Sequence, residues 1–394
     1  MAGMTSRERA LAALNHQEPD RVPIDLGGLI LFSCLHEGAQ AKVKEYLGYE
    51  GGETVINSFF SRTVRPDKRI RDRFQTDFFG LVSKPPSTWQ LEIHTTEEGG
   101  EWFYDEWQCK WYCPPDGHYF DVIEFPLADV TVADVARYKW PDPYDPARLA
   151  GVVELAKDLY ENTDYCLCYT PVWATGVFGI SGLLQGWDNH YVNLIANKQV
   201  AEAIFDGLTE FHIGQWDTIL DAMGDYIQVG VMSDDLGFQD RPMIRLSVFH
   251  ELVKPRYKRI VDFIKSKKTD LKLVFHSDGA IYQFLPEFID LGIDAVNPIQ
   301  VSCTGMGDTA KLKRDFGDKL AFWGGGVDTQ STLPRGTAED VRVEVKRRIG
   351  DLAPGGGYIF AAVHNVQYDV PPENIVACYD AAMKFGKYPV HLEE

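Results

Sequence analysis

Long apolar runs are missing from this chain: no stretch approaches the ~20 residues of a membrane helix. The opening Met1–Arg9 has no apolar centre either, so neither a membrane span nor a signal peptide is expected. Positive charge is scarce. Lys and Arg number 39 against 58 Asp and Glu, a formal charge of -19 at pH 7. Nucleic acid and anionic membranes both require a concentrated basic face, so neither is an expected partner, and a cytoplasmic protein is. Cysteine is thin as well: seven, an odd number, over 394 residues. That excludes a disulfide framework and fits reduced thiols. Cys109 and Cys113 form one near pair and Cys166 and Cys168 another, but neither has a second metal-spaced pair, so both read as structural. Cys166 and Cys168 should share one side of a strand. No Gly-x-Gly-x-x-Gly follows a strand-like run, which disfavours a dinucleotide fold. The runs Gly324–Gly326 and Gly355–Gly357 lack the Lys-Ser/Thr of a phosphate loop and read as turns.

What is present is ample core material, with 45% hydrophobic residues and 12% aromatics. Thr5–Leu14 reads as a helix with a Thr5/Glu8 capping box. Val22–Gly28 reads as a first strand ending in a glycine turn. From about Leu81 to Leu127, alternating residues with Trp89, Trp102, Trp107 and Trp111 suggest antiparallel hairpins that leave the main body. After the proline-punctuated Trp140–Pro146, strand-like and helix-like segments alternate. The strands are Tyr165–Thr170, Tyr226–Ser233, Leu271–Phe275, Ala295–Pro298, Ala321–Gly324 and Tyr358–Val363. The helices are Val200–Leu220, Val248–Ser266, Ile281–Leu291 and Ala338–Leu352. Repeated β-then-α units call for a parallel sheet. Six strands plus the one near residue 24 approach the eight of a closed (β/α)8 TIM barrel; an open doubly wound sheet is the alternative. The expected organisation is one barrel domain over residues 1–394, with a hairpin-rich insertion at about 81–127.

Two of these apolar runs end in histidine. Leu273-Val274-Phe275-His276 is followed by Ser277-Asp278-Gly279, and Tyr358–Val363 by His364-Asn365. Polar groups at the C-terminal ends of parallel strands meet at one rim, where chemistry is usually built. His276, Asp278 and His364 form a ligand set that Zn²⁺ accepts. The alternative is two buried histidines satisfied by backbone hydrogen bonds. Asp234 and Asp235 end another strand and are the candidates for substrate positioning or proton transfer, against a role as turn or cap residues before Leu236-Gly237. Asp25, Asn297, Gln300, Asp328 and Gln330 complete the expected rim. Trp173, Phe178 and Trp187 line an aromatic pocket or pack in the core, and substrate specificity is expected in the aromatic segments near residues 29–36, 83–120 and 173–190.

The opening Met4–Arg9 and Leu11–His16, with Pro19-Asp20-Arg21-Val22-Pro23, resembles the uroporphyrinogen decarboxylase superfamily. Asp234–Gly237, Gly325–Gln330 with Leu333-Pro334, and His364–Gln367 with Val370–Asn374 are most similar to its corrinoid-dependent methyltransferase branch. The resemblance spans nearly the whole chain and implies a (β/α)8 barrel with its site at the C-terminal rim. The decarboxylase carries an Arg-Gln-x-Gly-Arg-like segment that holds the carboxylates of its porphyrinogen. Here Leu29–Glu37 stands in that place without an arginine, so porphyrinogen decarboxylation is not expected. The resembling methyltransferases bind zinc through a His-x-Cys pair and a later Cys. His276 matches the first ligand, while Asp278 and His364 stand where the two cysteines would be. Replacing two thiolates by carboxylate and imidazole makes a harder ion, suited to a methyl ether or alcohol oxygen.

The expected function is therefore zinc-dependent transfer of a methyl group from a small O-methylated compound, such as an aromatic methyl ether. The acceptor is the cobalt of a corrinoid (cobalamin). No Asp-x-His-x-x-Gly motif occurs here, so the corrinoid would arrive on a separate carrier protein. Two alternatives are a metal-independent decarboxylase of a small acid and a non-catalytic corrinoid- or tetrapyrrole-binding subunit. A homodimer is the default assembly.

Overall fold

The computed structural model describes residues 3–115, 117, 119–172 and 176–391. Seven parallel strands form one sheet. In spatial order they are Tyr358–Ile359, Ala321–Trp323, Ala295–Asn297, Lys272–His276, Val229–Ser233, Cys166–Thr170 and Phe78–Val82. The gap between first and last is closed by the extended segment around Ile24. Ile24 bridges Phe360 in parallel. The Asp25 N–H donates to Phe360 O and the Phe360 N–H to Pro23 O, both at 2.8 Å. On the other side the Asp77 N–H donates to Ile24 O at 2.8 Å. Eight staves thus complete an α/β barrel of the TIM type, with helices such as Lys198–Met223, Lys254–Lys267 and Ala338–Leu352 outside it.

The barrel interior is filled by small and β-branched side chains, including Val229, Val231, Val274, Ala295, Ala321 and Ile359. Cys166 and Cys168 both face this interior and are free thiols. The floor is the helix Ser6–Leu14, whose Thr5/Glu8 capping box is formed and whose Ala10, Ala13 and Leu14 plug the lumen. Its Arg9 and the later Arg21 converge on Asp77, a carboxylate with 0% exposure, at 2.7 Å each. Asp77 also accepts from Ser6 Oγ and the Ile24 N–H. The conspicuous N-terminal segment is therefore structural and lies at the end of the barrel opposite the histidines.

Between the second and third staves the chain makes an antiparallel four-stranded sheet: His94–Thr95, Glu101–Tyr104, Lys110–Cys113 and Asp121–Glu124. Leu81 and Val82, placed by the sequence pattern at the start of this excursion, instead finish the stave Phe78–Val82. Asp105 anchors the sheet. Its buried carboxylate accepts the N–H groups of Trp107 and Cys109, both at 2.9 Å, and Trp111 Nε1 at 2.7 Å. Burial raises its pKa to about 6. Among the described residues no helix is long and apolar enough to cross a membrane.

Candidate metal centre

His276 is the last residue of the stave Lys272–His276, in register with Ser233 on one side and Asn297 on the other. Strand alternation and the stave's end place its ring at the barrel mouth, with the side chain 2% exposed. Nδ1 lies 2.7 Å from Asn297 Oδ1, and the Asn297 amide nitrogen donates to Trp323 O at 3.0 Å. That second bond fixes which end of the amide faces the ring. Nδ1 must therefore carry the proton that Asn297 accepts, and in the neutral ring the free lone pair is on Nε2. Nε2 faces two carboxylates, Asp278 Oδ2 at 3.7 Å and Asp235 Oδ1 at 3.9 Å.

Asp278 sits one residue beyond Ser277 in a tight turn. Gly279 takes φ +95, and a Cβ there would meet Gly237 O at 2.1 Å, so only glycine fits. The Asp278 N–H donates to Asp235 Oδ1 at 2.9 Å, and the Gly279 N–H to Gln300 Oε1 at 2.7 Å. These bonds aim the Asp278 carboxylate back across the rim. His364 arrives from the last βα loop, its Nε2 3.7 Å from Asp278 Oδ2. One ligand atom from each of His276, Asp278 and His364 falls within 4.8 Å of the others. Two ligand atoms on one tetrahedral zinc, at about 2.0–2.1 Å each, stand roughly 3.3 Å apart, so small side-chain rotations bring the three to that spacing. The donor set fits the ion.

Electrostatics follow from this crowding. Burial pushes the Asp278 carboxyl up, but His364 and His276 outweigh it and bring it down to about 2. Burial lowers the His276 imidazole, yet Asp278 and Asp235 leave it raised overall. His364 is lowered, by burial first and then by its positive neighbour His276, against the pull of Asp278. Asp235 is raised by desolvation and by the like charge of Asp278, although its side chain is 56% exposed.

The two adjacent aspartates separate. Asp235 borders an open cavity of 570 Å³ together with Asp278, Trp187, Tyr191 and Phe238. Asp234 is completely buried beneath the rim. It accepts the N–H groups of Phe178 and Gly179, capping the helix Val177–Gln185, and the Tyr257 hydroxyl at 2.5 Å. Burial raises it to about 7. Asp25 is likewise buried, accepting the Gly28 N–H and Trp323 Nε1. Asp328 accepts from the Gln330 N–H and Ser331 Oγ within its own loop. Phe178 is a core residue with 0% exposure; Trp173 lies outside the described residues.

One site residue is absent from the sequence pattern. Phe32 stacks on His276, centroids 3.6 Å apart at 14°, and meets the edge of His364 at 6.2 Å. Its loop is pinned by Asn365, which accepts the Cys34 N–H and donates to Leu31 O, both at 2.7 Å. Phe32 lies in the segment 29–36 where substrate specificity was expected, but nothing in the pattern pointed to its stacking on His276.

The family model "Uroporphyrinogen decarboxylase (URO-D)" matches residues 122–385, about two thirds of the chain. The chain belongs to the uroporphyrinogen decarboxylase family. A solved methyltransferase from Methanosarcina mazei superposes with a TM-score of 0.67 at 16% identity, covering 97% of this chain and 99% of that one. At that identity the likeness speaks for the shared fold, which is the barrel described above. A curated uroporphyrinogen decarboxylase from Pseudoalteromonas translucida (strain TAC 125) is 30% identical over 97 residues. That match spans 24% of this chain and 27% of the curated relative. Within the URO-D family, then, this chain is a barrel with a methyltransferase among its structural neighbours and a His/Asp/His cluster at its mouth.

Proposed function

We propose that this URO-D family member is a zinc-dependent methyltransferase. It would move a methyl group from a small O-methylated substrate to the cobalt of a corrinoid carried by a separate protein. The observation that carries the reading is the convergence of His276, Asp278 and His364, with the His276 lone pair directed to the rim by Asn297. These three residues would hold the ion, and Asn297 would keep His276 in its ligating tautomer. When bound, zinc supplies Lewis acidity toward the substrate oxygen. Phe32 covers one face of His276 and shields the centre from water. Asp235, on the wall of the 570 Å³ cavity, orients the substrate and delivers a proton to the departing oxygen. Asp234, with its acceptor positions taken by helix and tyrosine donors, holds the helix Val177–Gln185 beside that cavity. The cavity is open to solvent, the side from which the carrier's corrinoid would approach.

The family's name also supports decarboxylation of a small acid. Against it, the cavity beside the trio is bordered by two carboxylates and, among the described residues, by no lysine or arginine. An anionic substrate would meet like charge there. The discriminating assay supplies free cob(I)alamin as acceptor with methoxy compounds and follows loss of the Co(I) absorbance. Turnover by the zinc-loaded chain that disappears in His364→Ala supports methyl transfer. Release of CO₂ from a small acid by metal-free protein, with no cobalt methylation, would replace it by the lyase reading.

A further inference from the structure

Two cavities flank Leu183 at the barrel mouth. One is the 570 Å³ rim cavity that Asp235 and Asp278 border. The other, 450 Å³, is lined by residues of the antiparallel insertion and of the staves beneath it, and neither rim carboxylate borders it. Leu183 lines both. Leu31, next in the chain to the Phe32 ring stacked on His276, lines the second as well. The chamber thus adjoins the rim cavity through Leu183 and the Phe32 loop through Leu31.

The chamber's lining is aromatic and without free charge. Phe59, Phe60, Trp89 and Trp111 contribute to it. Phe60 and Trp111 brace each other at 4.8 Å between centroids. Both indole N–H groups are already used: Trp89 Nε1 donates to Tyr104 O at 2.8 Å and Trp111 Nε1 to Asp105 Oδ2 at 2.7 Å. What these rings present to the chamber is π surface. The Ser83 hydroxyl is bonded to Tyr169 at 2.5 Å, and the Asn57 amide nitrogen to Cys34 Sγ at 3.3 Å. The one charged lining side chain, Glu106, is paired with Arg148 in a buried bridge, 4% and 3% exposed. Among the described residues no lysine or arginine borders the chamber. A carboxylate entering it would lose its water and gain no partner. An uncharged ring would find faces to stack on. Space is sufficient: a cavity of ~150 Å³ holds benzene, and this one has 450 Å³.

We propose that the 450 Å³ chamber seats the uncharged aromatic body of the substrate, with Leu183 as the threshold to the rim carboxylates. The inference names the substrate class for the methyl-transfer reading on which it rests, and it is tested by binding alone. Two probes share one ring: 2-methoxyphenol, which is neutral, and 4-hydroxy-3-methoxybenzoate, which adds a carboxylate. Calorimetry on the full chain should find the neutral ring bound about tenfold or more tighter than the acid. Leu31→Trp and Leu183→Trp, which fill the chamber from two sides, should each weaken the neutral ring about tenfold. Equal or tighter binding of the acid overturns the proposal. So does no binding of the neutral ring, or undiminished binding in both tryptophan variants. Neutral-ring binding of the expected pattern without any methyl transfer would leave the chamber standing and remove the methyltransferase reading. Methyl transfer from a non-aromatic ether, with no ring bound, would do the reverse.

Discussion

Removing Asn297 tests whether the rim histidine is organised for a metal. Asn297 is 1% exposed, accepts from His276 Nδ1 at 2.7 Å and donates to Trp323 O at 3.0 Å. Asn297→Ala leaves the His276 Nδ1–H buried without an acceptor, a loss of about 1–3 kcal/mol. It also frees the ring to take the other tautomer, in which Nε2 carries the proton and cannot ligate. Losing the outer partner of a ligating histidine costs about 10–100-fold in metal affinity, or about 1.4–2.7 kcal/mol. The assay is zinc affinity by competition with a chromophoric chelator, run beside denaturant unfolding of the metal-free protein. Asn297→Ala should weaken zinc by that factor, and Asn297→Asp, which keeps an oxygen facing Nδ1, should recover most of it. A purely structural asparagine would give a different pattern. If the alanine variant lost stability while zinc affinity stayed within about twofold of wild type, the tautomer argument would be wrong.

Three further outcomes follow from the fold and the rim. Asp77→Ala strands Arg9 and Arg21 at the barrel floor and should cost about 3–5 kcal/mol in urea unfolding; a change below about 1 kcal/mol would mean that solvent already compensates these charges. His212 is 5% exposed, and burial lowers its pKa from 6.5 to about 4. Its folded pKa lies below the unfolded value, so its contribution is intact above pH 6.5 and is lost as pH falls from there toward 4. At 1.36 kcal/mol per pH unit that loss approaches about 3 kcal/mol. The stability difference between wild type and His212→Gln should therefore shrink by about that amount over the same window, and a pH-independent difference would show that His212 is not buried neutral. Gly279→Ala places a Cβ 2.1 Å from Gly237 O at φ +95, so the turn carrying Asp278 must move. Zinc binding should fall by more than about tenfold, and wild-type affinity in this variant would show that Asp278 is not held by the turn.

The barrel was legible wherever a helix of ordinary length separated two apolar runs. From residue 147 on, six strands were read from the sequence within three or four residues of their observed bounds, because helices such as Lys198–Met223 and Ala338–Leu352 mark the intervals. The second stave, Phe78–Val82, escaped. The helix before it, Lys68–Arg73, has only six residues, mostly charged, and shows no apolar period, so no β-then-α unit stands out. The trio was legible because His276 and Asp278 sit at a strand end and His364 follows another, and strand ends meet at the rim. Which of Asp234 and Asp235 faces that rim was not legible. Adjacent residues on an extended chain point oppositely, but the absolute sense depends on how Tyr257 and the helix Val177–Gln185 pack, contacts distant in sequence. The segments that carry Phe32 and part of the chamber, 29–36 and 83–120, were legible as aromatic, but their shape was not, for the same reason. They are built from loops distant in sequence.

The most direct test of the central claim is the metal content of purified protein, by elemental analysis after exposure to zinc and removal of the excess. Wild type should retain about one zinc per chain, and His276→Ala, Asp278→Ala and His364→Ala should each retain far less while remaining folded by circular dichroism. Wild type without zinc, or three variants that all keep it, would contradict a metal centre built from these residues.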